Sequence, residues 1–347
     1  MKIAIAGAGI SGSYLARRLI AEGIAKPKDI TIYDPFYPRA TTCRIAPCAW
    51  GIHTKTIIEA AEKCNLEPEK YILRRYSEVK VGSICIKSDL CTFDKPKFIC
   101  DCIDGIRVIN DYLPRAEALE NYDIIIDATA WRKVITNGER STEYIKLVTH
   151  QVRVHEERTH MSIYPLWFDA LGYYWEFPLK DSTHIGFGYA ESIYTKGSVT
   201  VIQTDSTQVK KFFDKYQNAI CRCTGKIRAS SPRTSLPLFA ETKQKAVIIA
   251  VGESAGCISS ASGGGNKEAI DGAEILLRNW EDWESYEKVM LKDFDWAYKE
   301  YMLVKKLCLG KRIGIRDLLT LKKNSKRYGL KAGFIKTWKL LKEILKK

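Results

Sequence analysis

The sequence predicts an α/β protein in which an antiparallel sheet is inserted into a parallel one and helices follow at the end. Three observations lead to this fold class. A short apolar strand runs straight into a glycine-rich turn and an amphipathic helix at the start of the chain. Residues 145–190 alternate between apolar and polar side chains, as antiparallel strands do, and a further apolar strand follows at residues 246–251. With 347 residues, of which 46% are apolar, the chain is long enough for two packed domains.

The first of these segments has the pattern of a dinucleotide-binding unit. Strands are predicted at residues 2–6 and 29–33, with a helix at residues 13–22 between them. Gly7 permits a tight turn, Gly9 lets the backbone approach a pyrophosphate, and Gly12 allows the helix to pack closely on the strand. The N–H groups at the start of the helix attract the pyrophosphate. Asp34 follows Gly12 by 22 residues and is placed to accept hydrogen bonds from an adenosine ribose. A Rossmann-type site for NAD or FAD is therefore predicted, the alternative being a glycine-rich turn in an unrelated sandwich.

Two later segments point to FAD. Residues 122–130 form an apolar strand that ends in Ala128-Thr129-Ala130 and resembles the A-T-G strand of flavoproteins. After residues 246–251 come Gly252-Glu253, then three successive glycines and a helix predicted at residues 266–280. This order resembles the third flavin motif of the glutathione-reductase-like and hydroxylase-like flavoproteins. The resemblance implies that Gly252 and Glu253 contact the ribityl-pyrophosphate, that Ala128 lies in the cofactor site, and that the isoalloxazine is faced by Gly263, Gly264 and Gly265.

The most specific pattern lies within the predicted antiparallel sheet. Tyr173-Tyr174-Trp175-Glu176-Phe177-Pro178 is followed, after seven residues, by Gly186-Phe187-Gly188. This pattern resembles the Y-x-W-x-F-P-(x7)-G-x-G signature of the geranylgeranyl reductase family, FAD-dependent oxidoreductases of archaeal type with a hydroxylase-like flavoprotein fold. The resemblance extends from the N-terminal loop through about residue 280. Strand alternation alone places Tyr173, Trp175 and Phe177 on one face, so the alternative interpretation is an aromatic strand that packs on the core.

The resemblance implies an FAD-dependent reductase that saturates C=C bonds of a geranylgeranyl lipid by hydride transfer from reduced flavin. Ala46-Pro47-Cys48-Ala49 is similar to the family's P-C-G loop, which implies that Cys48 contacts the alkene or relays a proton. It implies Tyr173 and Trp175 as the other catalytic residues. The residues implied in substrate binding are Tyr173, Trp175, Phe177, Pro178, Gly186 and Gly188. The alternatives are a flavin-dependent monooxygenase of the hydroxylase type and a non-catalytic flavin-binding protein.

The motif order predicts discontinuous domains. Residues 1–140 and 226–282 would bind FAD, residues 141–225 would form the antiparallel substrate domain, and residues 283–347 would form C-terminal helices. The chain has no second G-x-G-x-x-G motif, so an external electron donor, NAD(P)H or a reduced ferredoxin, would dock transiently.

The net charge of +14 is concentrated at the C-terminus. Residues 311–347 hold thirteen Lys and Arg and two acidic residues, which leaves +3 for the other 310 residues. Within residues 334–347 the apolar side chains fall at helical spacing, at Phe334, Trp338, Leu341 and Leu345. This pattern predicts a basic amphipathic helix that either packs on its own domain or contacts an anionic membrane or a partner. Nucleic-acid binding is not expected, because the rest of the chain is nearly neutral.

Eleven cysteines leave their state open between buried thiols and disulfides. The pairs Cys100-x-Cys102 and Cys221-x-Cys223 have one intervening residue, whereas zinc ligands are usually separated by about two to four, so no metal site is predicted. The longest apolar runs fall far short of the roughly 20 residues that span a bilayer. The first residues lack a leader pattern. We therefore expect a cytoplasmic protein that is peripheral on the inner face of the membrane if the basic helix binds there.

Overall fold

The computed structural model describes residues 1–36, 50–136, 143–167, 171–202 and 206–331. In chain order its strands are β1 (Ile3–Ala6), β2 (Ile30–Tyr33), β3 (Gly51–His53), β4 (Ile72–Val81), β5 (Ile84–Phe93), β6 (Arg107–Ile109), β7 (Ile124–Asp127), β8 (Tyr144–Val154), β9 (Met161–Trp167), β10 (Leu171–Pro178), β11 (Thr183–Thr195), β12 (Ser198–Val201), β13 (Cys221–Ala229), β14 (Phe239–Glu241), β15 (Val247–Ala250) and β16 (Leu330–Lys331). Its α-helices are α1 (Ile10–Ala21), α2 (Thr54–Lys63), α3 (Lys95–Ile103), α4 (Arg115–Asn121), α5 (Ser206–Lys215), α6 (Asn266–Arg278), α7 (Trp283–Asp293), α8 (Asp295–Cys308) and α9 (Ile315–Ser325).

The first sheet brings the ends of three distant strands to one edge. Its order is β14-β15-β7-β1-β2-β6, and all neighbours are parallel except β14 and β15. β1 is buried along its whole length because elements cover both faces of the sheet. The register pairs Ala6 with Asp127 and Asp127 with Ala250. The segments that follow these residues, which hold the three predicted cofactor motifs, therefore start side by side.

The second sheet is mainly antiparallel and has the order β13-β8-β11-β10-β9-β4-β5-β16, with β12 beside β11 and β3 beside β5. Only the pairing of β4 with β9 is parallel among the neighbours in this sheet of the described chain. Strands from residues 51–93 thus join those from residues 144–229. The predicted division into domains stays a prediction, but this sheet takes strands from both sides of the expected boundary near residue 141.

Alternation along the strands gives the second sheet two different faces. One face packs against α5 in an apolar cluster that includes Val152, Phe187 and Phe212. On this face the hydroxyl groups of Tyr174 and Tyr216 lie 3.1 Å apart. The opposite face carries Tyr173 and Trp175 and lies across a cavity from the loop of residues 260–265.

The C-terminal helices cover both sheets. α7 packs on the first sheet, where the hydroxyl of Tyr286 donates to the carbonyl oxygen of Ala250 at 2.7 Å. α8 packs Tyr301 and Val304 against the end of the second sheet. The predicted C-terminal helices are therefore present, and α7 and α8 are divided at Phe294. The predicted basic helix at residues 334–347 lies outside the described residues. Among the residues placed by the structure, no helix has the length and apolar character needed to cross a bilayer.

Candidate functional site

The loop between β1 and α1 adopts a conformation that requires glycine. Gly7 has φ of +103°, and a Cβ at this position would lie 2.9 Å from the carbonyl carbon of Ala128. A Cβ on Gly12 would overlap the carbonyl oxygen of Gly7 and lie 3.1 Å from the Cβ of Ala128. These two glycines let the turn close tightly on β7 and let α1 pack on it. Ala128 thus forms the floor of the loop.

Gly9 differs from its two neighbours in the motif because the space beside it is open. No atom lies within 4 Å of the position that its Cβ would take. Gly9 is also the N-cap of α1 and offers no side chain to the first N–H groups of that helix. Open space in front of uncapped N–H groups at the positive end of a helix fits an anion such as a pyrophosphate.

Asp34 holds the same loop from the end of β2. Its buried carboxylate accepts hydrogen bonds from the backbone N–H of Ala8, at 2.8 Å from Oδ2, and of Phe36, at 2.9 Å from Oδ1. The predicted contact of Asp34 with a ribose stays a prediction.

The segment after β15 closes the site from the other side. Gly252 has φ of +64°, and a Cβ there would lie 2.7 Å from the Cβ of Ser11, at the start of α1. Oε1 of Glu253 accepts from the backbone N–H of Arg228 at 2.7 Å, and burial raises the pKa of this carboxyl to about 7. The first two predicted cofactor motifs and this one therefore meet at the carboxyl edge of the first sheet, as FAD binding requires.

A cavity of about 390 Å³ lies between the loop of residues 260–265 and the second sheet. One wall is the loop that holds Gly263, Gly264 and Gly265. The opposite wall is apolar and is formed by Val81, Leu90, Leu147, Met161, Ile163, Trp175, Phe177 and Ile227. Pockets of this size hold small-molecule ligands or part of a longer one. Three of the predicted site glycines and three predicted substrate residues, Tyr173, Trp175 and Phe177, thus face one space.

Gly186 and Gly188, the two glycines of the signature, leave room for the indole of Trp175. Trp175 pairs with Gly186 across β10 and β11, and Tyr173 pairs with Gly188. A Cβ on Gly186 would lie 2.6 Å from Cε2 of Trp175, and one on Gly188 would lie 3.6 Å from Cζ3. Gly188 also lines the cavity, whereas Gly186 is covered by the indole. The predicted substrate role of these glycines stays a prediction, and their packing role is direct.

Hydrogen bonds made by Tyr173 and Pro178 connect the segments around the cavity. The Tyr173 hydroxyl donates to the carbonyl oxygen of Ser262, which links the second sheet to the glycine loop. The carbonyl oxygen of Pro178 accepts from the hydroxyl groups of Tyr76, at 2.7 Å, and Thr92, at 2.9 Å. Pro178 lies outside the cavity lining, so its predicted contact with substrate lacks support from this geometry.

Sequence reasoning missed the polar residues of the cavity, among them Gln151 and Glu268. Gln151 is fully buried, and within the described structure neither polar atom of its side chain has a hydrogen-bond partner. The only clue in the sequence is its place on the alternating face of a predicted strand. Glu268, in the first turn of α6, is 5% exposed, and burial raises the pKa of its carboxyl to about 8. Its position three residues after Gly265, at the start of the predicted helix, could have identified it.

The cysteines form no metal site in the part of the chain that the structure places. No disulfide joins the nine cysteines within the described ranges. Cys48, the predicted catalytic cysteine, lies outside them.

No family model matches the chain. An uncharacterized protein of Methanocaldococcus jannaschii is 25% identical over 341 residues, with 87% of each chain covered.

Two solved structures share the fold over nearly the whole chain. A geranylgeranyl bacteriochlorophyll reductase-like protein of Thermoplasma acidophilum superimposes with a TM-score of 0.66 at 15% identity, covering 99% of each chain. A probable FAD-dependent monooxygenase of Pseudomonas aeruginosa, PqsL, gives a TM-score of 0.57 at 11% identity, covering 93% of this chain and 99% of its own. These likenesses confirm the predicted flavoprotein fold, with its inserted antiparallel sheet and C-terminal helices.

Proposed function

We propose that this chain is an FAD-dependent reductase that saturates C=C bonds of an isoprenoid lipid, of which a geranylgeranyl chain is the expected type. The observation that carries the proposal is the apolar cavity between the glycine loop and the second sheet. An isolated alkene offers no polar group for recognition, so a site for it must hold the chain by shape and apolar contact.

The residues at the edge of the first sheet fit FAD. The open space at Gly9 and the uncapped start of α1 suit its pyrophosphate, and Asp34 holds the loop beside them through its hydrogen bond from the N–H of Ala8. When bound, the reduced flavin supplies a hydride. The glycine loop and the aromatic side chains on β10 would then hold the alkene and exclude water.

A proton must reach the second alkene carbon, and Glu268 is placed to hold one. Its carboxyl lines the cavity, and with a pKa of about 8 it is protonated at neutral pH. Cys48 is the other candidate, from the resemblance of its loop. An external donor, NAD(P)H or a reduced ferredoxin, would restore the reduced flavin.

Contact with a membrane surface would give access to a lipid substrate. On α9, Ile315 is 78% exposed and Leu319, one turn further, is 54% exposed. Exposed basic residues Arg312, Arg316 and Lys323 surround them. A basic surface with exposed aliphatic side chains favours an anionic bilayer. The sequence continues with five further lysines and one acidic residue at residues 332–347.

The test is a pair of reoxidation experiments with the purified protein loaded with FAD and reduced with dithionite. Our proposal predicts that a geranylgeranyl lipid reoxidises the flavin without oxygen, whereas a saturated lipid of the same length does not. If the lipid does not reoxidise the flavin, and oxygen reoxidises it with formation of a hydroxylated product, the chain is a monooxygenase. If it binds FAD and does neither, it is a flavin-binding protein without this activity.

A further inference from the structure

Two segments that are distant in sequence contribute to the cavity wall outside the second sheet, beside the start of α6 and Val304 on α8. The loop of residues 259–265 contributes the three glycines and the serines before them. The C-terminal segment, residues 315–331, contributes Arg327 and Tyr328. What holds these two segments together determines the shape of the cavity.

Glu300, on α8, lies between the two segments and is fully buried. Its Oε1 accepts from the hydroxyl of Ser259, at 2.6 Å, and from the backbone N–H of Ala261, at 3.0 Å. Its Oε2 accepts from Nδ2 of Asn324, at 2.8 Å, and from the hydroxyl of Tyr328, at 2.6 Å. A buried carboxylate is costly unless donors surround it, and these four hydrogen bonds compensate for its burial. Each oxygen serves one segment.

The hydrogen bonds continue from Glu300 through the loop to the sheet. The hydroxyl of Ser259 also accepts from the N–H of Ser262 at 3.0 Å. The carbonyl oxygen of Gly264 accepts from the N–H of Ser259 at 2.9 Å, and the N–H of Gly264 donates to Oγ of Ser262 at 3.1 Å. The carbonyl oxygen of Ser262 accepts from the Tyr173 hydroxyl. One network therefore runs from the C-terminal segment to the glycine loop and on to Tyr173.

We propose that Glu300 is a positioning residue through which the C-terminal segment holds the glycine loop in place. The loop keeps its position because Ser259 and Ala261 are tied to Oε1, and Glu300 keeps its orientation because Asn324 and Tyr328 are tied to Oε2. Undocking the C-terminal segment would therefore release the wall that faces the flavin. The inference deepens the proposed function and rests on it only for the cofactor measurement below.

Because four groups donate hydrogen bonds to Glu300, substitutions at position 300 can distinguish a positioning role from simple packing. The backbone N–H of Ala261 can only donate, so a glutamine at position 300 must turn its oxygen towards the loop. Its amide nitrogen then faces Asn324 and Tyr328, whose amide and hydroxyl can both turn to accept. Glu300→Gln should therefore keep the loop in place, whereas Glu300→Ala should release it.

Hydrogen exchange measured by mass spectrometry on the purified protein tests the inference without any cofactor. In Glu300→Ala and in Asn324→Ala, we expect the amides of Ala261 and Ser262 to exchange at least about tenfold faster than in wild type, since hydrogen bonds to a charged group are lost. Glu300→Gln should stay close to wild type. The matched control is Lys306→Ala, which removes an ion pair between α8 and α9, Lys306 with Asp317 at 3.2 Å, but leaves all four hydrogen bonds of Glu300 in place.

Unchanged exchange in the loop of Asn324→Ala, or an equal increase in Lys306→Ala, would overturn the inference. Asn324→Ala decides the outcome even if Glu300→Ala does not fold, because it removes one of the four hydrogen bonds and leaves the carboxylate in place. With FAD, Asn324→Ala should shift the visible absorption bands of the bound flavin, and Lys306→Ala should not. A wild-type protein that binds no FAD would refute the proposed function while the exchange pattern still tests Glu300.

Discussion

Replacing Gly186 with alanine tests whether the signature glycines exist to seat Trp175. The new Cβ would lie 2.6 Å from Cε2 of Trp175 and 2.9 Å from the Cβ of Gln151, with both side chains buried. Carbon atoms in contact normally lie about 3.5–4.0 Å apart, so the indole must move by roughly 1 Å. Adding a methyl group to a packed site costs typically about 1–3 kcal/mol, and we expect a cost within this range because both displaced side chains, which line the cavity, must leave their packed positions.

Equilibrium unfolding in guanidinium chloride measures this loss, and the chain offers a matched control. In Gly188→Ala the new Cβ lies 3.0 Å from Cγ2 of Thr149 and 3.6 Å from Trp175, so a small shift accommodates it and the cost should stay below about 1 kcal/mol. Trp175→Phe should recover part of the loss when combined with Gly186→Ala, because the smaller ring frees the overlapped space. The reasoning is refuted if the two alanine variants are equally stable or if the double variant is strictly additive.

Two further predictions concern the cofactor loop and pH. Gly9→Ala should leave the free energy of unfolding almost unchanged, because no atom lies within 4 Å of the new Cβ, yet it should weaken FAD binding at least about tenfold in a fluorescence titration. Gly12→Ala, whose Cβ overlaps the carbonyl oxygen of Gly7, should instead destabilise the fold, and equal unfolding curves for both variants would contradict this account. Burial raises the pKa of Glu268 from 4.5 to about 8, and the charged groups near its carboxyl are Lys267, Asp271 and Glu300. Between these two pH values the folded protein therefore binds more protons than the unfolded chain. The free energy of unfolding consequently falls as the pH rises from 4.5 to about 8. Glu268→Gln should flatten this decrease by up to a few kcal/mol between about pH 6 and about pH 8.5, whereas identical slopes in both proteins would show that Glu268 ionises normally.

The parts of the site that could be predicted from the sequence are those built by local contacts. Gly7, Gly9 and Gly12 act within one strand–turn–helix unit, so their spacing carries the information. The Gly252-Glu253 motif is also local and could be predicted from the sequence. The position of Gly252 beside α1, in contrast, depends on the register of β15 with β7. The alternation along β10 correctly placed Tyr173 and Trp175 on one face.

The parts that could not be predicted depend on contacts between distant segments. Glu300 resembles any charged residue on a helix, and only the approach of Ser259 and Asn324 from distant parts of the chain makes it a buried acceptor. The strands β4 and β5 escaped notice for a related reason. The register of β4 against β5 shifts at two places along β4, between Ile72 and Arg74 and between Tyr76 and Glu78. The apolar alternation is therefore broken at these places, although the sheet remains continuous.

The mass of the lipid after a single anaerobic turnover tests the central claim most directly. Protein carrying one equivalent of reduced FAD is mixed with an equal amount of geranylgeranyl lipid, and the extracted lipid is compared with a sample from Gly9→Ala protein. Our account predicts a lipid that has gained two hydrogens for each flavin reoxidised, and two deuteriums in deuterated buffer, because the N–H that supplies the hydride exchanges with solvent before transfer. Flavin that is reoxidised only when oxygen is admitted, with the lipid unchanged or hydroxylated, would contradict it.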